Sequence, residues 1–316
     1  MPMNAILVAN HQAYRKPDFL AVAAEIRRVD PQIRSYVAFK DEWAPKAMAA
    51  QLLRPTLTVK LCSSTRYWAL RGAVAQRREG GKVGSYRLMQ QAGLPLPRWT
   101  VIEPATRLDP AEWGKWVVLK PARGKRGQGV VIARAEEVRY QPPESFPEGH
   151  AGREGPMLAQ RFIYTGPWPV HYRVVTVFGR PMLSFRYEML HELQPPLAHA
   201  EGFDDGKPRG IPTSPRSKDP GAFTCNGTYA FDEDLLALAR RAHAAFGDVP
   251  MIGFDIMRDA NDGSLHIAEG NQSSVWMISG DRGEAWKARG LDGYKQFGAI
   301  RVVAEAIVDA TRRLAR

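Results

Sequence analysis

The most constraining feature of this chain is a pair of short apolar runs near residues 251–271, each interrupted by groups that an apolar strand does not ordinarily carry. In Met251-Ile252-Gly253-Phe254-Asp255-Ile256-Met257 the side chains alternate, so Ile252, Phe254 and Ile256 face one way and Gly253 and Asp255 the other. Arg258 to Gly263 supplies a turn, and Leu265-His266-Ile267-Ala268-Glu269-Gly270-Asn271 returns with Glu269 and Asn271 on one face. Two readings fit. In one, Asp255 ends a strand, Glu269 decorates an edge and Asn271 caps a turn. In the other, an acid on one strand joins an acid and an amide oxygen on its neighbour, the hard oxygen set magnesium takes when it also holds phosphates. An unpaired carboxylate in an apolar strand is costly, and a bound cation would remove that cost.

A second signal lies upstream, in Lys120-Pro121-Ala122-Arg123-Gly124-Lys125-Arg126-Gly127-Gln128-Gly129-Val130. The run Trp116 to Lys120 that leads into it and Gly129 to Ile132 at its end read as strands. Gly124, Gly127 and Gly129 would let backbone amides approach phosphate oxygens unobstructed, with Lys120 supplying charge at the strand end. No Gly-Lys-Ser/Thr opens a helix here, so this is not a Walker A loop. The form, strand, glycine turn, strand, suits either a flap over a nucleotide or an ordinary basic β-turn.

The rest of the chain gives these signals a setting. With 316 residues and 44% hydrophobic content it can bury a large core in two or three lobes. Residues 5–8, 35–39 and 56–61 read as strands, with a helix over 18–28 between the first two, which makes a small α/β lobe with a mostly parallel sheet over residues 1–81. Residues 63–81 read as a polar crossing. A helix over 84–92 ends at Gly93-Leu94-Pro95, opening a central lobe over 82–160 that contains an irregular surface excursion at 136–156. Residues 172–178 and 182–187 pair as a hairpin through Gly179-Arg180-Pro181 in a C-terminal lobe over 161–316. Residues 195–228 read as a long functional loop whose Lys207, Arg209 and Arg216 either recognise anionic substrate groups or solvate a surface. Two helices follow, one after Asp232 ending at Gly247 and one over 291–314.

Several classes are set aside. The N-terminus carries no basic-apolar-small signal pattern and no apolar stretch reaches the length of a membrane span, so the expectation is a cytoplasmic protein with no membrane partner. Cys62 and Cys225 form no disulfide framework and no metal-type motif. The formal charge of +11 comes from 44 basic and 33 acidic residues. The basic clusters are short and scattered without interleaved aromatics, which disfavours nucleic acid and suits a cleft for phosphates or anionic small molecules.

Taken in order, Lys120, the glycine loop 124–129, Arg173, Arg186, Asp255, Glu269 and Asn271 resemble the ATP-grasp superfamily, most closely its glutathione-synthetase-like and RimK-like carboxylate-amine ligases. The resemblance covers about residues 82–275. It implies an α/β chain of ATP-grasp fold, with two α+β lobes clasping a nucleotide and the small parallel-sheet lobe preceding them. It also implies ATP and Mg2+ as cofactors, small carboxylate and amine substrates, and an acyl phosphate intermediate, with ADP and phosphate released. Lys82 and Lys120 are similar to the family's phosphate-binding lysines, Gly124, Gly127 and Gly129 to its phosphate loop, and Gln160, Phe162 and Ile163 to the connector that meets adenine. Asp255, Glu269 and Asn271 resemble its magnesium ligands, and Arg173 or Arg186 the cation that stabilises the transferred phosphoryl group. The connector has arginine at its second position, where many members have glutamate, and Gly270 is smaller than the usual residue, which leaves room for substrate or loosens the site. A small-molecule kinase and a non-catalytic ATP-binding regulator are the alternatives, and a homodimer is compatible with all three.

Overall fold

The computed structural model describes residues 1–9, 16–39, 42–62, 67–78, 80–123, 127, 129–193, 209–210, 225–272 and 281–316. The chain begins with β1 (Met3–Ala9), α1 (Lys16–Val29), β2 (Ile33–Phe39), α2 (Pro45–Leu53), β3 (Thr56–Lys60) and β4 (Ala73–Gln76). These strands form one parallel sheet in the order β2-β1-β3-β4. The fourth strand falls inside the stretch expected to be a polar crossing. It is only four residues long and set between arginines, too short to show a period.

On one face of this sheet Leu7, Leu57 and Val59 pack against Phe19, Val22 and Ile26, which recur at helical spacing on α1. The same core takes in Val303 and Ile307 of the last helix, which ties the end of the chain to its beginning. The opposite face has a smaller core of Ile6, Val8, Ala38, Ala47 and Tyr67, with Ala47 contributed by α2.

A second sheet is built from α3 (Gly81–Gln91), β5 (Trp99–Val101), α4 (Pro110–Trp113), β6 (Trp116–Pro121), β7 (Val131–Arg134) and β8 (Met157–Arg161), the strands pairing antiparallel. The excursion between β7 and β8 is irregular apart from three single 3₁₀ turns. The return strand starts two residues later than expected, because Gly127 and Gly129 take positive φ (73° and 70°) in the turn that precedes it. Gly124 lies outside the described residues.

The third sheet comes from β9 (Val170–Val177), β10 (Arg180–Met189), β11 (Arg209–Gly210), β12 (Cys225–Tyr229), α5 (Glu233–Ala244), β13 (Met251–Arg258) and β14 (Leu265–Asn271). Its order is β12-β10-β9-β13-β14, all antiparallel, while β11 joins β7 at the edge of the second sheet. The expected 195–228 loop therefore carries strand at 209–210, in its middle, and from Cys225 at its end; Lys207 and Arg216 lie outside the described residues. The chain closes with α6 (Asp281–Lys287), α7 (Gly293–Gln296) and α8 (Ala299–Leu314). A single helix over 291–314 does not form: Gly298 at φ 66° breaks it, and Asp292 caps the short piece by accepting from the Tyr294 amide.

Alternate residues of the third sheet enter different cores. Val174, Ile252, Phe254 and Ile256 pack on α5 and on Tyr86 and Met89 of α3, whereas Val175, Val177, Phe185 and Met251 join the core of α8 and the first sheet. Cys62 is half-buried and Cys225 is buried. No described helix is long and apolar enough to cross a membrane.

Candidate functional site

Strand register assembles the site. Arg173 of β9 pairs with Asp255 of β13, and Asp255 pairs with Glu269 of β14, so three charged residues lie side by side across adjacent strands. Residues directly opposite in an antiparallel ladder share a face. Arg173 donates from Nε and Nη2 to the two oxygens of Asp255, both at 2.6 Å. Asn271 donates to Asp255 Oδ2 at 3.1 Å, and Lys82 Nζ lies 3.9 Å from Glu269 Oε1. Burial opposes the Arg173 charge, but the Asp255 carboxylate and its hydrogen bonds outweigh that and hold the guanidinium above its ordinary pKa.

The second sheet contributes Lys120 and Gln160, which face the same way from β6 and β8. Lys120 is 7% exposed; it donates to Gln160 Oε1 at 2.7 Å and to the Ala268 carbonyl of β14 at 3.3 Å. Its ammonium also lies 5.2 Å from the centre of the Tyr86 ring. Burial lowers its pKa to about 8, with Glu269 opposing and Lys82 reinforcing. Tyr86 donates to the same Ala268 carbonyl at 2.6 Å, so α3, β6 and β14 meet at one point. Lys82 belongs to the first turn of α3 rather than to the segment before it, and donates to the Pro121 carbonyl at the mouth of the glycine loop.

The Gly129 end of the loop is tightly seated. A Cβ on Gly129 would stand 2.7 Å from His150 Nε2 and 2.9 Å from Pro121 Cγ. The excursion after β7 thus packs against the loop through His150, which stacks on Phe146. Ile163 is buried after β8, and Phe162 packs with Trp116 and Ile132.

Two residues behave differently from their neighbours in sequence. Arg186 pairs in register with Tyr172, not with Arg173, and so points to the opposite face of the third sheet, where it donates to Glu188 at 2.6 Å. Gly270 likewise faces away from the acids: a Cβ there would meet the Phe246 and Phe254 rings at 3.3 and 3.4 Å. Its small size accommodates core packing and adds no room to the site. Sequence reading missed Tyr86, whose hydroxyl secures α3 to β14; its place three residues after the helix's first turn carried no polar signal.

Asp255, Glu269 and Asn271 bring together the donor types magnesium takes, but both Asp255 oxygens accept from Arg173 and the Asn271 amide nitrogen donates to one of them, so an ion would have to displace those contacts. They are two carboxylates and an amide on adjoining strands, with the acids' side chains 16% and 26% exposed. Among the described residues no group of three or more His, Cys, Asp and Glu could hold a metal alone.

No family model matches the sequence, and no curated protein matches it. Solved structures match its fold. The ATP-grasp ligase PsnB complexed with minimal precursor covers 96% of this chain and 98% of its own, at 16% identity and TM-score 0.52. D-cycloserine synthetase DcsG covers 98% of this chain and 99% of its own, at 16% identity and TM-score 0.52. PsnB with minimal precursor, Mg and ADP aligns over 98% of both chains, at 14% identity and TM-score 0.51. The chain has the ATP-grasp architecture: a parallel N-terminal sheet followed by two antiparallel lobes.

Proposed function

We propose that this protein is an ATP- and magnesium-dependent carboxylate-amine ligase that works through an acyl phosphate. The observation that carries the reading is the convergence on β14. The Arg173–Asp255–Glu269 row reaches it from the third sheet, while Lys120 and Lys82 reach it from the second sheet and from α3. Cations and oxygen ligands meeting at one strand suit a triphosphate, and the ATP-grasp architecture supports the assignment.

In this reading Lys120 and Lys82 hold phosphate oxygens and the glycine loop covers them. Asp255, Glu269 and Asn271 hold magnesium, which when bound neutralises charge on the β- and γ-phosphates. A substrate carboxylate oxygen attacks the γ-phosphorus, the bond to the β-phosphate oxygen breaks, and ADP leaves. The amine then attacks the acyl carbon, the carbon–oxygen bond to phosphate breaks, and the proton lost from nitrogen goes to solvent or phosphate. Arg173 stabilises charge on the transferred group. No protein side chain acts as nucleophile, and closure of residues 121–129 keeps water from the intermediate. Gln160, Phe162 and Ile163 line the nucleobase end.

The test is ADP and phosphate release from Mg-ATP with pooled carboxylates and pooled amines, with Lys120→Ala as control. Turnover that needs both pools and is lost in the control supports the ligase. Turnover with one pool and a stable phosphorylated product would make it a kinase; ATP binding with no turnover against any pool would count against catalysis.

A further inference from the structure

The first sheet has a well covered side and a poorly covered one. Of the ten exposed large apolar side chains among the described residues, six belong to the poorly covered side. Trp43, Leu52, Leu53, Trp68, Leu70 and Val74 are 40 to 79% exposed, on α2, on the segment before it and on residues 67–74. Trp43 and Trp68 meet edge to face at 6.2 Å. Such a concentration of exposed apolar groups marks an interaction surface.

The display is firmly supported. Gln51 of α2, 1% exposed, accepts from the amides of Leu70 and Arg71 at 2.9 and 3.4 Å and donates to the Trp68 carbonyl at 3.3 Å. Tyr67 is buried, its hydroxyl 3.1 Å from Thr58 Oγ1. Gly72, at φ 95°, lies so close to β3 that a Cβ would stand 2.5 Å from the Thr56 carbonyl oxygen. The loop is therefore pinned at Tyr67, at residues 68–71 and at Gly72, while Trp68 and Leu70 point outward.

The surface adjoins an open strand. β4 pairs with β3 on one side and with nothing else among the described residues. Leu52, Leu53, Arg54, Pro55 and Arg71 line a cleft beside it. Neither Arg54 nor Arg71 has an ion-pair partner among the described residues.

We propose that the β4 edge, with the Trp43–Trp68 pair and Leu70 beside it and Arg54 and Arg71 at its rim, docks an extended acidic peptide segment of a partner protein. The segment adds to the sheet as a fifth strand. The unpaired N–H and C=O groups of β4 supply the ladder, alternate apolar side chains rest on the tryptophans and leucines, and carboxylates meet the two arginines. A second copy of this chain is the poorer occupant. Two-fold antiparallel pairing about this edge sets Arg71, before β4 in one copy, against Arg77 and Arg78, after β4 in the other, on chains that each carry a net +11.

The test uses the full chain and binding alone, so its outcome is independent of any turnover. The probe is a fluorescein-labelled extended peptide of about twelve residues alternating Glu with Val, with Lys/Val and Glu/Ser peptides as controls. Anisotropy at low salt should show saturable binding of the Glu/Val probe only. Trp68→Ser and Arg71→Glu should each weaken it about tenfold, and added salt should weaken it further. Both side chains are outside the cores, and circular dichroism checks that the fold is kept. The proposal is overturned by absence of saturable binding, by equal binding of the Lys/Val peptide, or by indifference to both substitutions. Sedimentation showing a wild-type dimer that these substitutions dissociate would assign the surface to a second copy instead.

Discussion

The two faces of the third sheet are made from alternate residues of the same strands, yet they treat charge in opposite ways. On one face Arg173, Asp255 and Glu269 stand in register, and Asn271 and Lys82 converge on them. On the other, Arg186 is satisfied by Glu188 and Arg258 by Asp234, each pair separate from the next. Both faces carry arginine–carboxylate pairs, so pairing alone does not mark a site. What marks it is a carboxylate already held by arginine that still has a second acid and a lysine within reach.

The largest effect should come from breaking the convergent face. Arg173→Ala and Asp255→Asn should each lower kcat/KM for ATP-dependent turnover by about 10²- to 10³-fold, the scale of losing one transition-state charge contact. Thermal unfolding would show whether either substitution acts through the fold. A drop below tenfold in both would remove the row from the proposed chemistry.

The α5 face should instead show its character in stability. Thr176 and His243 are buried there together: His243 Nε2 donates to the Val249 carbonyl at 2.9 Å, which leaves Nδ1 to accept from the Thr176 hydroxyl at 2.7 Å. Burial lowers the His243 pKa to about 4 from 6.5. Above pH 6.5 folded and unfolded chains are both neutral at this group and it contributes no pH dependence. Below 6.5 the unfolded chain takes up the proton first, so stability falls as pH drops toward 4, by about 3 kcal/mol in all. Urea unfolding at a series of pH values should lose this component in His243→Gln, and an unchanged profile in that variant would refute it.

Lys120 links the convergent face to the second sheet, and its signature is also a pH dependence, of opposite sign. In the proposed site its charge meets phosphate, and burial leaves the free protein losing that charge above about pH 8. Affinity for Mg-ATP should fall as pH rises through 8, approaching about tenfold per pH unit, with Lys120→Arg flattening the curve. Calorimetric affinities that stay level from pH 7 to 9.5 would exclude Lys120 as the titrating contact.

Gly270 separates the faces by a single atom. Gly270→Ala should cost about 1 kcal/mol through crowding of Phe246 and Phe254 and leave KM for every substrate unchanged. A shift in KM without loss of stability would return this position to the site.

How much of this was legible in the sequence depended on whether a strand announced its own faces. The two-residue spacing put Glu269 and Asn271 on one face and alternation set Asp255 apart from Phe254 and Ile256, but their meeting across the hairpin depends on a register that shifts between Asp255 and Ile256, which the structure supplies. The same alternation could not say which of Arg173 and Arg186 joins them. They lie on two strands of one hairpin, and the answer turns on a register that shifts between Pro181 and Leu183. Short elements were equally hidden: β4 and α4 have four residues each, and β12 emerged at the end of a stretch read as loop. The Gln51 clamp and the Tyr86 bond to Ala268 are long-range side-chain contacts to the backbone, for which no local pattern exists.

The smallest expected effect is therefore the most discriminating one. Arg186 and Arg173 carry the same charge, and both were candidates for the cation on the transferred phosphoryl group. Only Arg173 shares a face with Asp255 and Glu269, while Arg186 pairs in register with Tyr172 and gives its guanidinium to Glu188. If the face decides the role, Arg186→Ala should keep kcat/KM within about threefold of the parent, and any loss should appear as the few tenths of a kcal/mol of a part-exposed ion pair. Parallel single-turnover measurements on Arg173→Ala and Arg186→Ala make the comparison direct. Equal losses in kcat would mean that the sheet bends or closes to bring both arginines to the phosphoryl group, and that register alone is too static a guide to this site.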